Sequence, residues 1–181
     1  MLIKQFISLL DNLKNDLITE RPNETLLIAK EALALIRRRI QTEGEDLNGV
    51  QLGHYSDVPL PPFYFDNKSI NASGAKAVEA AKKKGVGLSY KGFRRANNLP
   101  TDKVTLTFTG GMWREMDVQI TENDQNKTTA LIEPRTARSR QVALYNSERY
   151  GNILGLSKDE IRMLRIANLN RVKKSINKYL K

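Results

Sequence analysis

Apolar residues at the start of the chain recur at alternating intervals of three and four, at Ile3, Phe6, Leu10, Leu13 and Leu17, the stripe of one amphipathic helix. Glu20-Arg21-Pro22-Asn23 predicts a break, because proline removes a backbone donor and Asn23 is a good N-cap. A second helix is expected over 24–42 with the seam Leu26, Ala29, Leu33, Ile36 and Ile40. Arg37, Arg38 and Arg39 fall near its C-terminal end, where the helix dipole favours cations, and Gly44 stops it. The next signal is a turn at Asp46-Leu47-Asn48-Gly49, where Asn-Gly supplies the positive backbone angles a tight reversal needs.

The middle of the chain changes period. Val58-Pro59-Leu60-Pro61-Pro62-Phe63-Tyr64-Phe65 has too many prolines for a helix and predicts an extended arm or loop near 56–72. Short helices are expected over 74–84 and 89–97, separated by Gly85-Val86-Gly87. Val104, Leu106 and Phe108 alternate with threonines, the pattern of a strand. A hairpin is predicted from Val118 and Ile120 through the turn Asn123-Asp124-Gln125-Asn126 to Thr128–Ile132. A helix over 136–148 follows. Ser157 and Glu160 form a capping box for a terminal helix of about 24 residues, roughly 36 Å long, whose face is Ile161, Leu164, Asn168 or Leu169, Val172, Ile176 and Tyr179 or Leu180. The expected fold is α+β: N-terminal helices, a small mostly antiparallel sheet and a long C-terminal helix, in one domain spanning 1–181.

Composition narrows the chemistry. With 181 residues and 40% hydrophobic content, one core is expected, in a globule with a radius of gyration of roughly 16 Å. The chain has no cysteine and one histidine, His54, which excludes disulfides, thiolate nucleophiles and Cys-rich zinc sites. The first helix is too short and too charged to span a bilayer, so no membrane association is expected, and no secretory signal follows it. Glu43, Glu45, Asp46 and Asp57 are the densest carboxylates, but their spacing does not fit an EF-hand and a solvated turn accounts for them. His54-Tyr55-Ser56 does not make a nucleophile and base, because neighbours in sequence rarely present both groups correctly. Gly85-Val86-Gly87 lacks the third glycine and preceding strand of a dinucleotide motif. No catalytic residue, metal ligand or cofactor is assigned; a carboxylate-based hydrolase has no acid–base motif to rest on.

The net charge of +10 is uneven: −3 over 1–67, +7 over 68–103, −3 over 104–134 and +9 over 135–181. Such blocks suit an anionic partner, nucleic acid or an acidic protein surface, although lysines and arginines also simply solvate helix faces. The candidate contacts to DNA or an acidic partner are Lys82, Lys83, Lys84, Arg94, Arg95, Lys173, Lys174 and Lys178. Phe63, Tyr64, Phe65 and Trp113 are the candidates for docking a neighbouring subunit, with the alternative that Phe63 and Phe65 anchor the arm to its own core.

Five phrases in a fixed order complete the picture: an Ile- and Arg-rich helix from Ile36 leading to Gly44-Glu45-Asp46-Leu47-Asn48-Gly49, then Tyr55-Ser56, Phe108-Thr109-Gly110-Gly111-Met112-Trp113, Tyr145-Asn146-Ser147-Glu148-Arg149-Tyr150-Gly151, and Leu154-Gly155-Leu156-Ser157 before the terminal helix. This order resembles the tail-completion, or virion-morphogenesis, proteins of tailed bacteriophages, over nearly the whole chain after about residue 25. The proline-rich arm and the basic segment 68–103 are longer than in the shorter family members. The resemblance implies a small α+β structural protein of the head–tail neck or upper tail, without enzymatic activity or cofactor. It implies a closed homo-oligomeric ring around packaged double-stranded DNA, bridging the connector or adaptor to tail proteins in the virion after assembly in the host cytoplasm. The alternative reading is a non-specific DNA-binding protein using the basic patches.

Overall fold

The computed structural model describes residues 3–107 and 110–179, with side chains from residue 7 onward. Phe108, Thr109, Leu180 and the side chains of Ile3 and Phe6 therefore lie outside the described residues. The fold is α+β: a long N-terminal helix, two small antiparallel sheets and a long C-terminal helix.

Helix α1 runs unbroken over Ile3–Arg38, roughly 54 Å, and continues into a wider π turn over Arg39–Glu43. The helix break expected at Pro22 does not occur. Proline's missing N–H forfeits one bond within the helix, but packing holds the turn: Arg21 donates to the backbone oxygens of Asp124 and Gln125 in the distant hairpin, at 3.4 and 3.1 Å. Asn23, the expected cap, instead donates to Glu20 on the same helix. Pro22→Ala restores the missing donor and removes the ring clash, so it should stabilise the protein by about 1–3 kcal/mol. A raised midpoint in thermal unfolding is the expected readout; a lowered one would mean that the ring itself is packed.

The seam of the second half of α1 is buried as its spacing predicts, at Ala29, Leu33, Ile36 and Ile40. The π turn ends at Gly44 with φ +73°, and its N–H bonds the Arg39 carbonyl, a left-handed cap that glycine takes without strain. The following turn is held by Asp46, whose carboxylate accepts from the N–H groups of Asn48 and Val50 at 2.8 and 2.9 Å, with Gly49 at φ +75°.

The proline-rich segment is fastened at both ends of its turn rather than free. Strand β1 (Pro59–Leu60) pairs antiparallel with β2 (Leu88–Ser89), and Pro62–Phe65 forms a 3₁₀ turn. Helix α2 (Ala72–Lys84) is capped by Asn71 and α3 (Tyr90–Ala96) by Ser89, close to the expected ranges. Phe65, Val78 and Phe93 make a small core where this turn meets α2 and α3.

No strand forms over 104–107. Leu106 has φ +49°, which breaks the extended run. The groups a neighbouring strand would satisfy go to side chains: Thr105 N–H donates to the Tyr55 hydroxyl at 3.0 Å, and the Thr107 carbonyl accepts from Arg94 at 2.7 Å.

A short helix α4 (Gly111–Arg114) leads into the predicted hairpin of β3 (Met116–Asn123) and β4 (Thr128–Pro134), which lies against α1. Helix α5 (Ala137–Tyr150), capped by Thr136, then packs on α4 and β4. The capping box of α6 (Lys158–Tyr179) is formed: Glu160 N–H donates to Ser157 Oγ at 3.2 Å and Ser157 N–H to Glu160 Oε2 at 2.7 Å. Helix α6 runs back along α1, and the Tyr179 hydroxyl donates to the Asp16 carboxylate. Its inward line follows the expected face from Leu164 through half-buried Asn168, Val172, Ile176 and Tyr179, joined by buried Glu160 and half-buried Ala167 and Arg171, while Ile161 and the alternative Leu169 are exposed. The main core joins Leu33, Ile36, Ile40, Met112, Trp113, Met116, Ala143 and Ile153.

Candidate assembly surfaces

Three of the signature phrases meet at the C-terminal end of α1, while Tyr55 sits with Arg94 and Thr105. Arg39 is buried and donates from Nε to Glu160 Oε1 at 2.9 Å, from Nη1 to the Glu45 carbonyl at 3.2 Å, and from Nη2 to the carbonyls of Gly155 and Ile153 at 2.8 and 3.4 Å. Arg37 donates to the Trp113 carbonyl. Two arginines thus tie the Gly44–Gly49 turn, the Met-Trp helix and the Leu-Gly-Leu-Ser loop to one helix end. Arg38, on the opposite side of the helix, makes an exposed pair with Glu43 at 3.3 Å. The phrases are therefore architecture, and the surfaces that remain for partners lie elsewhere.

Two of the four docking candidates are core residues. Trp113 is buried between α1 and α5, and Phe65 turns inward onto Phe93 with ring centroids 4.5 Å apart. Their removal from the surface follows from the helix and 3₁₀ turn that carry them, which can point only some of their side chains outward. Phe63 and Tyr64 are the ones left outside, 64% and 49% exposed, with rings stacked at 4.8 Å and 24°.

Among the basic candidates, Arg94 is excluded. It is 1% exposed, its guanidinium lies 4.0 Å over the Tyr55 ring, and it donates to Pro100 O, Thr107 O and Thr105 Oγ1. Lys82 is exposed but bridges Asp66 and Glu79 at 2.8 and 3.1 Å, which raises its pKa through those bonds. Lys83, Lys84, Arg95, Lys173, Lys174 and Lys178 are exposed and make no ion pair among the described residues. Of the lysine run it is Lys82 that reaches the aromatic turn, through Asp66, and Lys83 and Lys84 are exposed at the end of α2; Lys173, Lys174 and Lys178 lie along α6.

Sequence reasoning missed a further cationic face, on α5. Arg138, Tyr145 and Arg149 recur at helical spacing with Val142 and are exposed, while Arg135 and Arg140 on the same segment pair with Asp117 and Glu133. The seven- and four-residue intervals were the available signal. At the start of α5, hydroxyls of Ser139 and Thr136 donate to Glu115 and hold its carboxyl below the ordinary range.

Apolar side chains are uncovered on several elements, among them Ile7, Leu10 and Leu17 on the first half of α1, Phe63 and Tyr64 in the aromatic turn, Val142, Leu144 and Tyr145 on α5, and Ile166 and Leu169 on α6. A groove of about 350 Å³ between α1 and α6 is lined by Ala34, Leu35, Met163, Leu164 and Ala167, and is apolar apart from Glu31 and Arg38 at its edge. The carboxylates of the 43–57 segment do not converge: Asp46 is engaged by its turn and Asp57 by Lys91 at 2.9 Å. Among the described residues no three His, Cys, Asp or Glu side chains are grouped to hold a metal ion, and no helix is long and apolar enough to cross a membrane. Compared with known protein families, with characterised proteins and with solved structures, the chain matches none.

Proposed function

We propose that this protein is a structural subunit of the neck or upper tail of a tailed bacteriophage, assembling into a ring that joins the head connector to the tail around the DNA channel. The observation that carries this reading is the apolar surface left uncovered on several elements, α1, the aromatic turn, α5 and α6 among them. Contiguous exposed apolar surface marks contact with other proteins, and contacts between different patches of identical subunits close into rings when the rotation allows. The ordered phrases support the same reading, because the turn after α1, the Met-Trp helix and the loop before α6 are tied to one helix end by Arg37 and Arg39. Light scattering at assembly concentrations should find an oligomer, and particles lacking the protein should fail to join heads to tails. A strict monomer absent from purified virions would overturn the proposal.

A second reading, non-specific DNA binding, is favoured by the unpaired cations Lys83, Lys84, Arg95, Lys173, Lys174 and Lys178. Contacts to phosphate make affinity fall with salt, with a log–log slope of about −0.9 per phosphate neutralised. Retardation of duplex DNA at low salt, lost on raising it, is the expected result; no retardation at low salt would dismiss this reading.

A further inference from the structure

The first turns of α1 run past the elements that pack on the rest of it. The hairpin tip meets α1 at Arg21, and α6 meets it through Arg171 to Glu31 and, in its last described turn, through Tyr179 to Asp16. Among the described residues, none over 7–15 bonds or pairs with another element, and Ile7 and Leu10 are 53% and 45% exposed there. The apolar stripe of this half is also out of phase with the core. At about 100° per residue it is centred about 140° around the helix from the seam Leu26, Ala29, Leu33, Ile36 and Ile40, so the layer that covers the second half cannot cover the first. A free helix of this length is marginal in water, but here the buried second half supplies the nucleus from which it continues.

The spacing and charge of the stripe identify its occupant. Ile3, Phe6, Leu10, Leu13 and Leu17 fill the a and d positions of successive heptads, the pattern that packs helix against helix and that identical helices satisfy for one another. The edges agree. Ile7 and Lys14 take the e positions, and Leu9 and Asp16 the g positions. When such helices lie parallel, the g edge of one meets the e edge of the next, so the edge carrying Leu9 and Asp16 faces the edge carrying Ile7 and Lys14. An antiparallel pair would set lysine edge on lysine edge. Asp16 accepts from Tyr179 at one carboxylate oxygen and keeps the other. Net charge points the same way: the chain carries +10, but 3–17 holds two lysines and two aspartates, so copies meet there without the repulsion they feel elsewhere. A neutral segment likewise gives DNA or an anionic lipid surface nothing to bind.

We propose that residues 3–17 of α1 pack in parallel against the same residues of neighbouring copies, with Leu10, Leu13 and Leu17 in the seam. This deepens the self-assembly reading above and rests on it.

The chain has no cysteine, so single cysteines placed in the full chain test the seam directly. On mild oxidation Leu10→Cys should give disulfide-linked dimers, because parallel packing brings the two Leu10 positions within the roughly 7 Å between Cα atoms that a disulfide spans. Ser8→Cys, on the far side of the same turns, should stay uncross-linked. Leu10→Gln with Leu13→Gln keeps helix propensity and charge while removing the seam, and should weaken assembly at least about tenfold. If the parent assembles and Leu10→Cys cross-links no better than Ser8→Cys, the seam is overturned while self-assembly stands, and this readout holds even should the glutamine variant fold poorly. A glutamine variant that assembles as the parent does overturns it too. Cross-linking of Leu10→Cys only when mixed with Met163→Cys would put the stripe in the neighbour's α1–α6 groove, and overturns the parallel seam. Binding of the parent to phosphatidylcholine vesicles, lost in the glutamine variant and without cross-linking at Leu10→Cys, would give the stripe to a lipid surface and overturn it likewise. A parent that stays monomeric overturns the seam and self-assembly together.

Discussion

Replacing Arg94 by methionine should lower the unfolding free energy by about 3–5 kcal/mol and leave DNA retardation at low salt unchanged under conditions where the variant is folded. Methionine fills similar length but donates nothing. The carbonyls of Pro100 and Thr107 would lose their donors, and an orphaned buried acceptor costs about 1–3 kcal/mol. The stack of guanidinium on the Tyr55 ring disappears as well, a desolvated cation–π contact worth roughly 2 kcal/mol. The Tyr55 hydroxyl also receives the Thr105 N–H, so losing the arginine loosens the whole 100–107 segment and its junction with α3. Arg94→Lys should rescue little, because an ammonium on a flexible stem cannot serve these directions while lying flat on a ring. Denaturant unfolding of both variants is the measurement. A loss below about 1 kcal/mol would mean that water reaches those carbonyls, and a selective loss of DNA affinity would return Arg94 to the surface.

Arg94 also shows where sequence reading stops. Beside Arg95 at the end of a short helix it has the signature of a dipole-facing, solvated cation, and its burial depends on carbonyls of a loop whose course no local pattern dictates. The same holds for 104–107: alternation predicts a strand, but the Tyr55 hydroxyl, 50 residues away, takes the Thr105 donor instead. Pro22 reads as a break because the local loss of a donor is visible and the Arg21 bonds to the hairpin are not. Signals written entirely within a few residues fare better. Ser157 with Glu160, the left-handed Gly49 of the 46–49 turn and the seam Ala29, Leu33, Ile36 and Ile40 take the predicted form, since each depends on backbone geometry or helical period, though Asn48 does not share the positive φ expected of the Asn-Gly pair. In the aromatic turn the residue types were legible as anchors, while which of Phe63 and Phe65 faces the core was decided by the 3₁₀ turn. Helical phase alone sets Arg38 opposite the Ile36–Ile40 seam and leaves Arg37 and Arg39 flanking it, which distinguishes the exposed arginine from the two that clamp.

Glu160→Gln should cost about 3–5 kcal/mol, the usual penalty for leaving one member of a buried ion pair without its counter-charge. Glutamine still reaches the Ser157 N–H, so the capping box keeps its geometry and the loss reports the Arg39 pair rather than the cap. Arg39→Met should cost at least as much, because it strands the Glu160 carboxylate and also removes the donors of the Glu45, Ile153 and Gly155 carbonyls. Changing both, Arg39→Met with Glu160→Leu, eliminates both charges from the interior and should therefore be milder than Arg39→Met alone, although three carbonyls still lack their donor. The order expected in denaturant unfolding is thus Arg39→Met as the least stable, with the double variant above it. Strict additivity of the Arg39→Met loss and that of Glu160→Leu measured alone would contradict the coupling, since residues 2.9 Å apart in a common network must interact. The consequence reaches assembly: Arg39 bonds the turn after α1, the loop before α6 and the first turn of that helix. A variant that unfolds early should also present its surfaces to a neighbour in many orientations, and it should assemble more weakly than its folded fraction accounts for. Assembly in strict proportion to the folded fraction would show that the clamp stabilises the subunit without orienting the surface it carries.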